Sequence, residues 1–448
     1  SSVTLVSRNS SGDVANGDSY DAALSADFSH VAFYSNADNL AADVGREGNI
    51  FRHALATEVT THVSGQLGGD AGNEASGRSS ISDDGRYVAF ESDAYNFVDG
   101  ANSTQIYVRD ALLGTIELVS TTAVGVAANG SSTNPIISTN GRAVAFVSEA
   151  SNLIANVSGE QIYLKDLDTG SVTLISANSS GVAADGSSRT PAMSNDGQRI
   201  VFASNATNLV AGVTGWQIYL KHLSSGEIQL ASSDRFNTAG NGASLEPAIS
   251  GDGLIVAFSS TATNFVQATS GQQVYLKDLQ TDMISAGSTN DAGRSGDGPS
   301  SLPSLDIDGR HVGFTSTSTN LVQGVSGTQV YVKDTQGLIR AASTNNIGQP
   351  GNDVSDDSHI SDDARYVIFT TTSTNFEIGI SGKQIVRKQL ESGELTRVCE
   401  SISGQAANAE CTAPTASSNG RHITFTSAAV NLVAGVKGVQ IYNRDMGN

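Results

Sequence analysis

Residues 134–176 read NPIIS-TNG-RAVAFVS-EASNLIANVSGE-QIYLKD-LDTG-SVTLIS. Four short runs rich in β-branched and aromatic residues stand between turn residues, the pattern of short strands joined by tight connections. Asn140-Gly141 and Thr169-Gly170 mark two hairpin turns, because glycine accepts the positive φ such turns require. No helical spacing of apolar residues is present. Along Ala143-Val-Ala-Phe-Val147 both alternating sets are apolar. Both faces of this sheet therefore need cover, as they do when a sheet is sandwiched between two others.

The same stretch recurs along the whole chain. Asn-Leu-Val or a close variant begins at Asn39, Asn96, Asn152, Asn208, Asn264, Asn320, Asn375 and Asn431, in steps of 57, 56, 56, 56, 56, 55 and 56 residues. A phenylalanine keeps step at Phe33, Phe90, Phe146, Phe202, Phe258, Phe314, Phe369 and Phe425, and five of the seven prolines share one slot: Pro135, Pro191, Pro247, Pro303 and Pro414. Eight copies of about 56 residues account for all 448, so residues 1–448 are expected to form one domain. Four antiparallel strands per copy, eight times over, predict an all-β fold, a single eight-bladed β-propeller. One innermost-strand slot is mostly small (Ala23, Ser80, Ala192, Ala248, Ser304), as expected where blades converge on an axis.

The last copy stops after its third strand, Gln440-Ile-Tyr-Asn-Arg-Asp445, and has no outer one. The chain opens with Ser2-Val-Thr-Leu-Val-Ser7, nearly identical to the outer strand Ser171-Val-Thr-Leu-Ile-Ser176. Ser1 then falls in the slot of Gly170, and Asn448 in that of Thr169. Residues 1–7 are expected to complete the blade formed by 401–448, closing the ring and pairing an edge that would otherwise stay open.

Composition narrows the partners. With 45 acidic and 25 basic side chains the net charge is −20, which repels nucleic acid and anionic membranes, and also keeps a large surface soluble. No run approaches the roughly 20 apolar residues that span a bilayer, so membrane insertion is not expected. Cys399 and Cys411, the two cysteines, lie where one outer strand hands over to the next inner strand. A disulfide between them is expected in an oxidising compartment, with two buried thiols as the alternative.

The run Ser82-Asp-Asp-Gly-Arg-Tyr-Val-Ala-Phe-Glu-Ser92, followed by Gln-Ile-Tyr-x-Lys-Asp as at Gln161–Asp166, resembles the WD40-like repeats of TolB-type propellers, in all eight copies. The longer Asn-Leu-Val loop and the Ala-Asn-Gly connections near Asn16, Asn129 and Asn241 depart from the short TolB repeat. They are similar to repeats of large secreted bacterial propellers. That resemblance implies an extracellular or cell-surface bacterial protein, with the periplasm as the alternative. It carries no catalytic residues across, because the fold hosts unrelated functions.

Function is sought where copies break the pattern. The repeated asparagine is expected to tie down the loop that follows it. The basic slot Arg109, Lys165, Lys221, Lys277, Lys333, Lys388 and Arg444, usually followed by Asp, reads as a solvated turn with a weak ion pair. Trp216, the only tryptophan, precedes a third strand, and Arg235-Phe236 interrupts a connection that elsewhere holds Ser or Val. Both loops are expected to open on one face near blades four and five, where an aromatic pair with an arginine suits a sugar ring or a protein surface. His359 stands in an inner-strand slot that is mostly small; it reads as a histidine satisfied by nearby backbone, with a residue reaching the central channel as the alternative. No histidine pair has metal-ligand spacing, Asp353, Asp356 and Asp357 lack the alternation of a calcium loop, and no nucleophile elbow or phosphate loop occurs. No metal, cofactor or catalytic residue is assigned. The regular copies favour a non-catalytic scaffold that binds a protein or glycan. A glycan-active enzyme such as a polysaccharide lyase using His359, and a self-assembling structural subunit, are the alternatives.

Overall fold

The computed structural model describes every residue except 1, 43, 46, 67–70, 268, 377–381 and 448. Among the described residues there is no helix; thirty-two strands form eight four-stranded antiparallel sheets. Each sheet is one blade, and the third is representative: Ser132–Ile137, Ala143–Ser148, Gln161–Asp166 and Val172–Leu174, in that order from the inner edge. Gly141 and Gly170, both at φ 71°, make its hairpin turns. A Cβ on Gly141 would also stand 2.3 Å from the Tyr87 ring, so close approach reinforces the choice of glycine. The fold is an all-β, eight-bladed propeller. Its contacts group into two compact units, blades one, two, three and eight (Ser1–Ser176, Ser401–Ser417, Arg421–Asn448) and blades four to seven (Ala177–Glu400, Ser418–Gly420).

Within the first unit the opening segment completes blade eight. Ser2–Leu5 pairs antiparallel with Gln440–Asp445, Leu5 facing Tyr442. Beyond it the Val6 amide donates to Ile441 O at 2.9 Å, Ser7 Oγ donates to Gln440 Oε1 at 2.6 Å, and the Ile441 amide donates to Ser7 Oγ at 3.0 Å. Blade three repeats this geometry with Ser176 and Gln161, at 2.6 and 3.0 Å. Val6 then packs with Ile441, Phe33 and Phe51 in a core shared by blades eight and one. The slots foreseen for Ser1 and Asn448 lie outside the described residues.

Repeated side chains explain themselves as packing. The eight phenylalanines are fully buried, in second strands covered on both faces as the doubly apolar pattern requires. Phe146 stacks on Tyr163 of the third strand at 5.8 Å, and burial pushes the Tyr163 phenol up to about 12. The repeated asparagine binds the connection entering its blade, not the loop that follows it: Asn152 Oδ1 accepts the Asn129 amide at 2.9 Å and its Nδ2 donates to Ala127 O at 2.8 Å. Asn39, Asn208, Asn264, Asn320 and Asn431 do the same.

The basic slot is not a solvated turn. Lys165, Lys221, Lys277, Lys388 and Arg444 are each at most 5% exposed. Lys221 Nζ donates to Gly226 O in its own outer hairpin at 2.7 Å and to Ala177 O, 44 residues back, at 3.1 Å. Lys165 bonds Gly170 O and Thr121 Oγ1; Lys388 bonds Thr344 O and Asn345 O. The ammonium is a clamp between a blade and the connection entering it. Carbonyl and hydroxyl oxygens solvate it, joined by the Asp282 carboxylate at Lys277, as a buried cation demands. Desolvation lowers the pKa of Lys165, Lys221 and Lys333, and pushes that of Lys388 down to about 8.

Candidate functional site

Two features of the second unit carry candidate sites. The first is its inner wall. Every inner strand carries a bulge, and the bulged residue has positive φ: Thr190, Glu246, Leu302 and Asp357 in blades four to seven, at 47–55°. Three of the four precede the recurrent proline slot (Pro191, Pro247, Pro303), and proline fits an inner edge because its missing N–H need not join a ladder. A bulge re-aims side chains. Here it places Glu246, Leu302, Pro303, Leu305, Asp357 and His359 around a cleft of roughly 400 Å³. The Leu302 amide, left out of the ladder, donates to Glu246 Oε2 at 2.9 Å.

His359 Nε2 stands 3.9 Å from Asp357 Oδ1, with half of each side chain open to solvent. Desolvation by the crowded wall lowers the histidine pKa against the upward pull of Asp357. Ser304 and Ser358 also line the cleft, and the buried Oγ of each has no hydrogen-bond partner. The wall therefore offers two carboxylates and an imidazole beside prolines and leucines, with the Ser304 and Ser358 hydroxyls buried behind it. Such a set suits a neutral polyol better than an anion.

The second feature is the connection face of blades four and five. Leu230 ends its outer strand opposite Tyr219, so the following connection leaves the sheet at the end where Trp216 enters it, as foreseen. Asp234 Oδ1 accepts the amides of Phe236 and Thr238, both at 2.8 Å, and fixes a tight turn. At its tip Phe236 is 72% exposed, with the Arg235 guanidinium 4.7 Å from the ring centroid. Trp216 is half-buried against the core of blades four and five, and its cation is Arg189, 5.2 Å away. The structure thus gives two aromatic–arginine pairs where the sequence suggested one shared arginine. Arg189 was missed, although a signal existed: the same two slots in blade seven hold Asp356 and Lys383, which form an ion pair at 2.9 Å.

The remaining candidates resolve simply. Cys399 and Cys411 are both buried, and the expected bridge does not join them. His311, at a strand start, bonds Asp306 at 2.7 Å, which raises its pKa. Asp356 is held by Lys383, and among the described residues no three His, Cys, Asp or Glu side chains cluster as metal ligands. No described helix is long and apolar enough to cross a membrane.

The class that these sheets define is an eight-bladed β-propeller. No protein-family model matches the chain, and no curated protein does. Among solved structures it is similar to the Dos1 propeller, at 12% identity and a TM-score of 0.53, covering 100% of this chain and 95% of that one. A prolyl endopeptidase matches at 10% identity and a TM-score of 0.50, over 92% of this chain and 54% of its own. TolB from Acinetobacter baumannii matches at 15% identity and a TM-score of 0.37, over 80% of each chain. At such identities the likeness concerns the fold alone.

Proposed function

We propose that this chain is a non-catalytic bacterial scaffold, secreted or held at the cell surface, that binds a glycan through the connection face of blades four and five. The observation that carries the reading is Phe236: an aromatic ring held out in water by a hydrogen-bonded turn, with a guanidinium beside it. A rigid, exposed aromatic loses little entropy on binding and stacks on the apolar face of a sugar; the arginine supplies donors to its hydroxyls. The same pair also suits a protein partner. A glycan array probed with the wild type, F236A and W216A tests the choice. Saturable binding to a neutral or basic glycan, weakened at least tenfold in F236A, is expected. Absence of glycan binding, with a protein captured instead through Phe236, would move the reading to a protein ligand. Binding indifferent to both substitutions would overturn it.

The inner wall supports a second reading, a glycan-active enzyme. Its support is the cleft in which Glu246, Asp357 and His359 converge, with His359 Nε2 3.9 Å from Asp357 Oδ1. Glu246 and Asp357 make acidic polysaccharides poor substrates for it. New reducing ends formed from a neutral glycan, and lost in H359A, would favour this reading over the first.

A further inference from the structure

The buried lysine clamps are not all alike. In blades three, four and five the ammonium of Lys165, Lys221 or Lys277 donates to the carbonyl five residues on, in its own outer hairpin. Lys388 of blade seven donates only to Thr344 O and Asn345 O, in the connection entering the blade, and not to the corresponding Gly393 O. Its carboxylates have gone as well. The residue after the lysine is Asp166, Asp278 or Asp334 in blades three, five and six but Gln389 here, and the slot whose Asp282 pairs with Lys277 holds Gly393. Lys333, whose hairpin is one residue shorter, also lacks the hairpin bond, but Asp291 and Asp334 offset its charge. Among the lysines of the slot, Lys388 alone has neither a hairpin carbonyl nor a carboxylate beside it.

Where the missing bond would run, the structure has a pocket of roughly 280 Å³. Lys388, Gln389, Ser392 and Gly393 line it from the hairpin, and Thr344 and Asn346 from the connection. Arg340 enters from the outer strand of blade six, in a slot that holds Thr173, Gln229 and Ser285 in blades three to five. Its guanidinium reaches across to blade seven and donates to Leu390 O at 3.0 Å. No carboxylate lines the pocket; Glu391, on the same hairpin, lines the adjoining cleft.

We infer that this pocket binds a small oxyanion, the phosphate or carboxylate group of a ligand, held between the Lys388 ammonium and the Arg340 guanidinium. The chain carries 45 acidic and 25 basic side chains, yet two bases and no acid line this pocket. Lys388 is 5% exposed, and a buried cation without a counter-charge is costly. Desolvation has pushed its pKa down to about 8, and a bound anion would offset that cost. Water alone would satisfy the open donor, but it accounts for neither the arginine nor the loss of the aspartate. Charge-assisted hydrogen bonds are the strong ones, and the planar fork of arginine matches phosphate and carboxylate alike. The volume lies just under the roughly 300 Å³ at which pockets for larger ligands begin, so it suits an anionic group with a short body.

Isothermal titration of the whole chain, at low ionic strength in a chloride buffer, tests this with inorganic phosphate in one arm and malonate in the other. Saturable binding of one equivalent is expected in at least one arm, and the arm that binds names the oxyanion. K388M should abolish binding, and R340Q should weaken it at least fivefold. Q389D, which restores the aspartate of the other blades, should also weaken it at least fivefold, with an unchanged melting temperature. Q389D leaves the clamp itself in place, so it decides the matter even if K388M alters the connection. R310Q, which removes an arginine 72% exposed and outside the pocket, should change nothing. Absence of saturable binding in both arms, binding unchanged in Q389D and R340Q, or an equal loss in R310Q would overturn the inference.

Discussion

Replacing Lys277 by methionine should cost stability, and replacing Lys388 the same way should cost much less. Lys277 is fully buried; its Nζ donates to Asp282 O at 2.9 Å and Ser233 O at 3.2 Å, and pairs with the Asp282 carboxylate at 2.6 Å. Methionine matches the stem but strands two carbonyls, at about 1–3 kcal/mol each, and removes one partner of an ion pair. Because the Asp282 side chain is 36% exposed, its carboxylate regains water and the pair's share is small. A net loss of about 3 kcal/mol is expected. Lys388 has only carbonyls, Thr344 O at 2.9 Å and Asn345 O at 3.3 Å, and its pKa has fallen to about 8. That depression is about 3 kcal/mol of desolvation cost at neutral pH, which methionine relieves, so K388M should lose about 1 kcal/mol or less. The sign carries a second test. Between about pH 8 and 10.5 the unfolded lysine holds a proton that the folded one has lost, so wild-type stability rises with pH across that window, and K388M should flatten the rise. Urea titrations followed by circular dichroism, and by the fluorescence of Trp216 for blade four, give both numbers. K277M as stable as the wild type, or less affected than K388M, would refute the clamp.

Blade one should fail first in acid. Burial holds His30, His53 and His62 at about 4, so the stability they permit is complete above pH 6.5 and is lost as pH falls toward 4, by about 3 kcal/mol at the fully buried His53. Hydrogen exchange at pH 4.5 should show blade-one amides opening while blade three, which has no histidine, stays protected. N152A should lower stability by about 1–3 kcal/mol in urea titration, because the Asn129 amide and Ala127 carbonyl lose their partners. If N152A instead removed ligand binding and left stability unchanged, the asparagine ring would be a site after all. Alkylation in denaturant without reductant should count two thiols, Cys399 and Cys411, and a count of zero would establish the bridge that their positions suggested.

The fold was legible because its signals are local and repeat eightfold. The step between successive Asn-Leu-Val copies, and the near-identity of Ser2–Ser7 with Ser171–Ser176, sufficed to foresee which edges pair. The clamp was not legible, because Lys-Asp before a turn looks the same whether solvated or buried. Its true partners are carbonyls 44 residues back, and carbonyls leave no mark in a sequence. Half of the aromatic site was visible in Trp216 and Phe236. Arg189 entered with the structure, which sets its guanidinium 5.2 Å from the Trp216 ring. The proline slot hinted at the inner bulges, and that bulge is what sets Asp357 beside His359.

Native-state hydrogen exchange of residues 2–7 tests the closure most directly. If the opening segment is the outer strand of blade eight, the Val6 and Ile441 amides should exchange as slowly as Ile175 and Ile162 in blade three, whose hydrogen bonds are the same. Exchange of Val6 within seconds, as in a free tail, while Ile175 stays protected, would contradict it.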